Sequence, residues 1–253
     1  MPTPSIALVT GASAGFGEAI TRRFVKDGRR VIAAARRGDK LQALADQLGD
    51  AVLPFTLDVT DGAAVRALPG ALPEGWREVE VLVNNAGLAA GLDPFHEADP
   101  AGLDAMMMTD VVGLVHLTRA LLPGMVERGR GHVVNLGSVA GDYPYPGGHV
   151  YGASKAFVKQ FTLNLKADLV GLPVRVTNIE PGLVGGSEFS QVRFGGDEAR
   201  AAKVYEGTDP LMPEDIAEAV SWAVNLPAHV NINRIELMPV CQGPGPSVVK
   251  RRG

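Results

Sequence analysis

The sequence has one cysteine, Cys241, among its 253 residues, and only 6% of its residues are aromatic. One thiol cannot form an internal disulfide, which excludes a disulfide-stabilised secreted scaffold and favours a reducing, cytoplasmic setting. The 24 basic and 28 acidic residues give a net charge of −4, so no general attraction to nucleic acid is indicated. The N-terminus lacks the features of a signal peptide, and no apolar run approaches the ~18–20 residues of a membrane span. We therefore expect a cytoplasmic globular protein.

Short apolar runs alternate along the chain with longer segments of helical periodicity. Strands are predicted at residues 6–9, 31–34, 55–57, 79–83, 132–136, 174–179 and 232–238, and helices at about 17–26, 41–48, 100–127, 150–170 and 213–225. This alternation predicts a single α/β domain over residues 1–253, with a doubly wound, seven-stranded parallel sheet and helices on both faces. The polar segment 183–210 is expected to form an irregular substrate lid, and the tail 243–253 is expected to be loose.

A glycine-rich loop, Gly11-Ala12-Ser13-Ala14-Gly15-Phe16-Gly17, follows the first predicted strand. Glycines let the backbone approach a diphosphate, whose charge the next helix N-terminus favours, although this spacing differs from the usual dinucleotide fingerprint. About 20 residues further on, where arginine accommodates the 2′-phosphate of NADP, the second strand ends at Arg36 and Arg37. The two features together predict NADP as the cofactor, while each alone also fits an ordinary turn or a solvated strand end.

A serine, a tyrosine and a lysine are spaced for carbonyl chemistry. Ser138 follows the fifth predicted strand, Tyr151 comes 13 residues later, and Lys155 lies four residues beyond, on the same helix face. A phenol has a pKa of about 10, and a neighbouring ammonium lowers it toward the range of efficient proton transfer. A tyrosine and a lysine at this spacing are common on ordinary helices, so the pair needs support from other motifs.

That support comes from three further motifs, Asp58-Val59, Asn84-Asn85-Ala86-Gly87 and Pro181-Gly182. Together with the glycine loop at 11–17, Ser138 and Tyr151-x-x-x-Lys155, they have the order and spacing of the short-chain dehydrogenase/reductase family, which the whole chain resembles. The resemblance implies a Rossmann-type fold, a homotetramer, and Tyr151 as acid/base with Ser138 orienting the carbonyl and Lys155 holding the nicotinamide ribose. It also implies cofactor contacts at Asp58, Val59, Asn85, Ala86, Gly87, Pro181, Gly182 and Val184.

One position departs from the family pattern. Asp110 stands three residues before Gly113, where the family has an asparagine as the fourth member of its catalytic set. An ionised aspartate only accepts hydrogen bonds, and its charge near Lys155 opposes the lowering of the Tyr151 pKa. We therefore expect an active enzyme with an altered pH profile.

Residues 143–151, 179–194 and 226–233 resemble a narrower group, the bacterial NADP-dependent 3-hydroxy acid dehydrogenases. This implies action on serine, L-allo-threonine and 3-hydroxypropionate, and reduction of malonic semialdehyde. The substrate carboxylate then needs a cation, for which Arg193 is the candidate because a guanidinium can bind a carboxylate through two hydrogen bonds. An exposed lid arginine is the alternative interpretation. Tyr143, His149 and Gly185 are further candidate substrate contacts.

Two other functions stay open at this point. A carbonyl reductase for uncharged ketones would share the fold and the cofactor but would gain nothing from Arg193. An NADPH-binding protein with weakened chemistry is disfavoured by the intact Ser138, Tyr151 and Lys155, although Asp110 keeps it in consideration. No metal is predicted, since the histidines lack metal-ligand spacing and no cysteine cluster accompanies them.

Overall fold

The computed structural model describes residues 5–245 and residue 249 of the chain. Its strands are β1 (Ile6–Thr10), β2 (Arg30–Ala35), β3 (Val52–Thr56), β4 (Val79–Asn84), β5 (Gly131–Leu136), β6 (Val174–Pro181) and β7 (Arg234–Leu237). They form a seven-stranded sheet in the order β3-β2-β1-β4-β5-β6-β7, and every neighbouring pair is parallel. The predicted α/β class, single domain and doubly wound parallel sheet are confirmed.

The helices cover both faces of this sheet. They are α1 (Gly15–Lys26), α2 (Gly38–Leu48), α3 (Gly62–Ala71), α4 (Pro100–Met106), α5 (Leu114–Glu127), α6 (His149–Asp168), α7 (Phe189–Arg193), α8 (Glu198–Tyr205) and α9 (Pro213–Asn225). A π-helical segment, Met107–Gly113, joins α4 to α5. The helix α9 has the predicted bounds, whereas α3 was not predicted.

The central strands β1 and β2 are mostly apolar because the middle of the sheet is buried on both faces. Successive strand side chains point to opposite sides, so Val9 belongs to one hydrophobic core and Leu8 to the other. The first core packs the sheet against α1, α2 and α9, and the second packs it against α3, α5 and α6. Because the strands are all parallel, their carboxyl ends lie at one edge of the sheet, where the loops can form a site.

The long helix from Pro100 to Glu127 is apolar enough, by length and composition, to cross a membrane. Its apolar character has a structural cause within this fold. Leu117, Leu121 and Met125 are buried in the second core, where they pack under the sheet. Part of the apolar face of this helix is therefore buried inside the domain, whereas Met107 and Met108 stay partly exposed.

The lid segment 183–210 is more regular than its polarity predicted, because it contains the short helices α7 and α8. Its backbone is tied to the loop after β4, where the Gly91 amide donates to the Arg193 carbonyl oxygen at 2.9 Å. In the tail, Gln242 pairs with Val249 in an isolated bridge. The rest of the tail prediction, at residues 246–248 and 250–253, lies outside the described residues.

Candidate active site

A cavity of about 370 Å³ opens at the carboxyl ends of the strands, beside the reversal of strand order between β1 and β4. Ligands of doubly wound sheets bind in such a crevice. Fourteen of the predicted site residues line it: Gly11, Ser13, Ala14, Gly15, Phe16, Arg36, Arg37, Asp58, Val59, Asn85, Ala86, Gly87, Tyr151 and Lys155. The fold thus brings together motifs that are far apart in the sequence.

The glycine loop has the shape of a phosphate cradle. Gly11 and Gly15 have φ angles of 65° and 55°, in the left-handed region that favours glycine. Gly17 lies behind the cavity wall, where a Cβ would collide with the Gly11 carbonyl oxygen and lie 2.7 Å from the Asn85 amide nitrogen. Within the described part of the chain, no side chain caps the N-terminus of α1, so its first amides can bind an anion. These features fit the diphosphate of a dinucleotide.

Asn85 fixes the floor of the cavity by joining the ends of β1 and β4. Its side-chain amide donates to the Thr10 carbonyl oxygen at 2.7 Å. The Thr10 hydroxyl oxygen accepts hydrogen bonds from the backbone amides of Asn85 and Ala86 at 3.0 and 2.9 Å. Because these bonds hold the two strand ends together, the side chain of Asn85 positions the cavity wall.

The end of β2 presents cations to the cavity. Arg36 is exposed, and Arg37 Nε donates to the Ser13 hydroxyl at 3.1 Å, which links this strand end to the glycine loop. Burial raises the pKa of Asp58, but hydrogen bonds from Thr60 and the charge of Arg36 outweigh it, so the pKa is lowered overall. The cavity wall therefore combines cations at the end of β2 with an ionised carboxylate at Asp58.

Two charged residues of this region were missed by sequence reasoning. Lys40 lies in the first turn of α2, and Glu188 lies in the lid immediately before α7. Glu188 forms ion pairs with Arg37 at 2.7 Å and with Lys40 at 2.8 Å. The position of Lys40, three residues after Arg37, was a signal that could have identified it.

Tyr151 and Lys155 lie together on α6 as their spacing predicts. The Lys155 ammonium is 5.6 Å from the centroid of the Tyr151 ring and donates to the Leu136 carbonyl oxygen at 3.1 Å. Burial and the charge of Asp110 raise the pKa of Tyr151 above its usual value, while a hydrogen bond with Ser138 and the charge of Arg193 act in the opposite direction. The phenol is thus surrounded by groups that control its protonation.

Asp110 lies in the π-helical segment and is buried. Its Oδ1 accepts from the Leu88 amide at 2.9 Å, and its Oδ2 accepts from the Ser154 hydroxyl at 3.1 Å. Burial raises the pKa of Asp110 by more than Lys155 and these hydrogen bonds lower it. Ser154, which sequence reasoning did not single out, therefore fixes this carboxylate from the turn of α6 that also carries Lys155.

The side chain of Arg193 extends from α7 over the ring of Tyr151, the candidate catalytic tyrosine. Its guanidinium carbon lies 5.5 Å from the centroid of the Tyr151 ring and 5.3 Å from that of Tyr145. Its Nε donates to the Gly91 carbonyl oxygen at 3.1 Å, and its Nη2 donates to the Tyr145 hydroxyl at 2.7 Å. A guanidinium has five N–H donors, so Arg193 is held in place with donors left for an anion.

Several other predicted contacts lie away from the cavity wall. The Tyr143 hydroxyl donates to Glu236 at 3.3 Å on the surface, and the His149 ring packs edge-on against Phe95. The other predicted site residues outside the cavity lining make local contacts. Ser138 caps the turn at Val139–Gly141, and Pro181 is the last residue of β6. Gly182 and Gly185 form backbone hydrogen bonds, and Val184 forms a bridge with Leu211. Of this group, Ser138 lies close enough to Tyr151 to lower the pKa of its phenol.

An acidic cluster lies outside this cavity. Carboxylate oxygens of Asp142, Glu180 and Glu236 lie within 4.8 Å of one another. Arg234 forms ion pairs with both Asp142 and Glu180, and Lys159 pairs with Asp142. Since cations already balance these carboxylates, the cluster is a structural network that joins β6 and β7 to α6.

Comparisons with known proteins cover almost the whole chain. The family model for short chain dehydrogenases matches residues 5–194. The NADP-dependent 3-hydroxy acid dehydrogenase YdfG of Salmonella typhi is 60% identical over 237 residues, which cover 94% of this chain and 96% of that protein. Sulfoacetaldehyde reductase 2 of Chromohalobacter salexigens is 50% identical over 240 residues, which cover 94% of this chain and 95% of that protein. A structure of the closed form of serine dehydrogenase complexed with NADP+ superposes with a TM-score of 0.93 at 57% identity. The superposition covers 94% of this chain and 96% of that chain.

Proposed function

Because this chain belongs to the short-chain dehydrogenase family and is an NADP-dependent oxidoreductase acting on CH–OH groups, we propose that its substrates are small 3-hydroxy acids. Oxidation at C3 would act on L-serine, L-allo-threonine and 3-hydroxypropionate, and the reverse reaction would reduce malonic semialdehyde. The observation that carries the proposal is the guanidinium of Arg193, 5.5 Å from the Tyr151 ring. A carboxylate bound there would place the hydroxyl carbon C3, two bonds from the carboxylate carbon, at the phenol.

The residues around the cavity have the chemistry to hold NADP. The glycine loop and the uncapped N-terminus of α1 would bind the diphosphate, and Arg36 and Arg37 would bind the 2′-phosphate. Asp58 and Val59 would border the adenine, and Lys155 would hold the nicotinamide ribose. When bound, NADP+ supplies the hydride acceptor for the reaction.

The side chains of the protein would contribute proton transfer to the reaction. In oxidation, the Tyr151 oxygen would take the proton of the C3 hydroxyl, and in reduction it would return that proton to the alkoxide oxygen. Ser138 would donate a hydrogen bond to the same substrate oxygen and orient it. The Lys155 ammonium, 5.6 Å from the ring centroid, would favour the phenolate form of Tyr151.

Arg193 would select an anionic substrate. Its hydrogen bonds to Gly91 and Tyr145 hold the guanidinium over Tyr151, which reduces the entropy lost on binding a carboxylate. A second candidate substrate is sulfoacetaldehyde, because a similar reductase is named for it and its sulfonate also needs a cation near the carbonyl. A reductase for uncharged ketones is less favoured, since such substrates would gain nothing from this cation.

Removal of the Arg193 side chain tests this selection. Charge-assisted hydrogen bonds contribute about 1.5–3 kcal/mol, so Arg193→Ala should raise the KM for L-serine and 3-hydroxypropionate by about 10- to 100-fold. Because Arg193 also lowers the pKa of Tyr151, a change in kcat should be shared by an uncharged secondary alcohol, whereas the rise in KM should be confined to the acids. The matched control is Arg200→Ala, which removes another lid arginine, one that packs on Phe194. An unchanged KM for the acids in Arg193→Ala would overturn the carboxylate site.

We further propose that the enzyme is a cytoplasmic homotetramer. Apolar side chains are exposed on the long helices: Met107 and Met108 are 43% and 40% exposed, and Phe157, stacked on Phe161, is 40% exposed. Such surfaces support burial against further copies of the chain. Light scattering after gel filtration should give four times the chain mass of 26.5 kDa, and a mass of one chain would contradict this assembly.

A further inference from the structure

Glu188 ties the lid to the cations at the beginning of α2. Its Oε2 accepts a hydrogen bond from Arg37 Nη1 at 2.7 Å, and its Oε1 accepts one from Lys40 Nζ at 2.8 Å. Both partners are more than 140 residues away in the sequence, at separations of 151 and 148. Glu188 also lines the cavity, so this contact spans the mouth of the cofactor cleft.

The same cations are positioned for a second anion. Arg37 bonds Ser13 of the glycine loop at 3.1 Å, and it stands at the strand end where a 2′-phosphate is recognised. The two carboxylate oxygens of Glu188 occupy hydrogen-bond donors of the Arg37 guanidinium and the Lys40 ammonium. A phosphate monoester bound at this place would use the same donors. Hydrogen bonds from Lys40 and Arg37 lower the pKa of Glu188, so it is an anion at neutral pH.

We propose that Glu188 competes with the 2′-phosphate of NADP for Arg37 and Lys40, and thereby limits the preference of the enzyme for NADP over NAD. This inference rests on the proposed role of Arg36 and Arg37 as the 2′-phosphate site. Two anions that share the same cations weaken each other's binding. NAD lacks the 2′-phosphate, so its binding does not require Glu188 to give up these partners.

The competition also connects the cofactor to the lid. Coupling between two binding events is reciprocal. If Glu188 lowers the affinity for the 2′-phosphate by a given factor, a bound 2′-phosphate must weaken the ion pairs of Glu188 with Arg37 and Lys40 by the same factor. The side chains of Arg37, Lys40 and Glu188 are 42%, 44% and 40% exposed. Exposed ion pairs shift equilibria by about two- to fivefold, which sets the expected size of the effect.

Calorimetric titration of the cofactor-free protein with 2′,5′-ADP and with 5′-AMP tests the proposal. These fragments differ in the 2′-phosphate and carry no nicotinamide, so the result is independent of turnover and substrate. In Glu188→Gln, 2′,5′-ADP should bind about two- to fivefold more tightly at low salt, and the gain should shrink as salt screens the charges. The affinity for 5′-AMP should not change.

The matched control is Glu198→Gln, which removes an exposed lid carboxylate in the first turn of α8 and should bind both ligands like the parent. Unchanged or weaker binding of 2′,5′-ADP in Glu188→Gln would overturn the competition, as would equal gains for both ligands. If the parent protein itself binds the two ligands equally, the assignment of the 2′-phosphate to the arginines fails, and the inference fails with its premise. None of these binding results bears on the proposal that the substrates are 3-hydroxy acids.

Discussion

The carboxylate of Asp110 and the ammonium of Lys155 face each other in the interior, with Oδ2 and Nζ 3.9 Å apart and side chains that are 0% and 9% exposed. The pair joins the π-helical segment to α6, directly behind Tyr151. Hydrogen bonds from Leu88 and Ser154 and the charge of Lys155 favour the ionised form of Asp110, against burial, which raises its pKa. In its ionised form Asp110 offsets the ammonium that would otherwise favour the phenolate.

Asp110→Asn should move the pH dependence of oxidation to lower pH. The Asp110 charge raises the pKa of Tyr151, and oxidation by the proposed mechanism needs the phenolate, so kcat/KM should rise with pH through that pKa. Loss of the charge lowers the pKa, and the rising limb should move down by about one pH unit. The measurement is kcat/KM against pH in the parent and the variant.

Asp104→Asn is the control for this shift, because Asp104 is an exposed aspartate earlier in the same long helix. Its profile should superpose on that of the parent. If the limb of Asp110→Asn also stays in place, the aspartate is silent at this position and the proposed electrostatic link to Tyr151 is wrong.

Arg37→Gln should weaken NADP+ binding by about tenfold, because one charge-assisted hydrogen bond to the 2′-phosphate is lost. The affinity for NAD+ serves as the internal control and should be unchanged. Arg36→Glu should go further and invert the cofactor preference, since an acid at this strand end favours the free ribose hydroxyl. Fluorescence titration with NADPH and NADH measures both effects. A preference for NADP that survives in Arg36→Glu would contradict the assignment.

Gly17→Ala should destabilise the fold. A Cβ at this position would lie 2.7 Å from the Asn85 amide nitrogen and against the Gly11 carbonyl, so the loop would have to move. Overpacking of this kind lowers the free energy of unfolding by about 1–3 kcal/mol. Gly70→Ala is the control, because a Cβ there meets no atom of the described residues within 4 Å and alanine favours the helix α3 by up to about 1 kcal/mol. Equal unfolding midpoints in urea would show that the loop tolerates the side chain.

The parallel sheet was predictable because its central strands are buried on both faces and therefore appear in the sequence as short, mostly apolar runs. The exceptions have physical causes. The strand β3 was misplaced because it carries Pro54, which an edge strand tolerates although proline is uncommon within strands. The helix α3 was missed because its sequence contains Pro69 and Gly70, and its N-terminus depends on a cap from Asp61.

The candidate site was predictable where its residues belong to one local motif, as in the glycine loop and the Tyr151–Lys155 helix turn. It was not predictable where side chains from distant segments meet. The pairing of Glu188 with Lys40 joins residues 148 positions apart, and the orientation of Tyr143 toward Glu236 depends on how β7 lies beside the loop after β5. Such contacts follow from the packing of the whole chain, which spacing alone does not specify.

The most direct test of the proposed function is an initial-rate comparison of L-serine, L-allo-threonine and 3-hydroxypropionate with uncharged secondary alcohols of similar size. Absorbance of the reduced nicotinamide is followed with NADP+ and, in parallel, with NAD+. We predict turnover of the three acids with NADP+, much slower turnover with NAD+, and little turnover of the alcohols. Turnover of the alcohols alone would contradict the account, because it would leave Arg193 without a carboxylate to bind and would indicate a general carbonyl reductase.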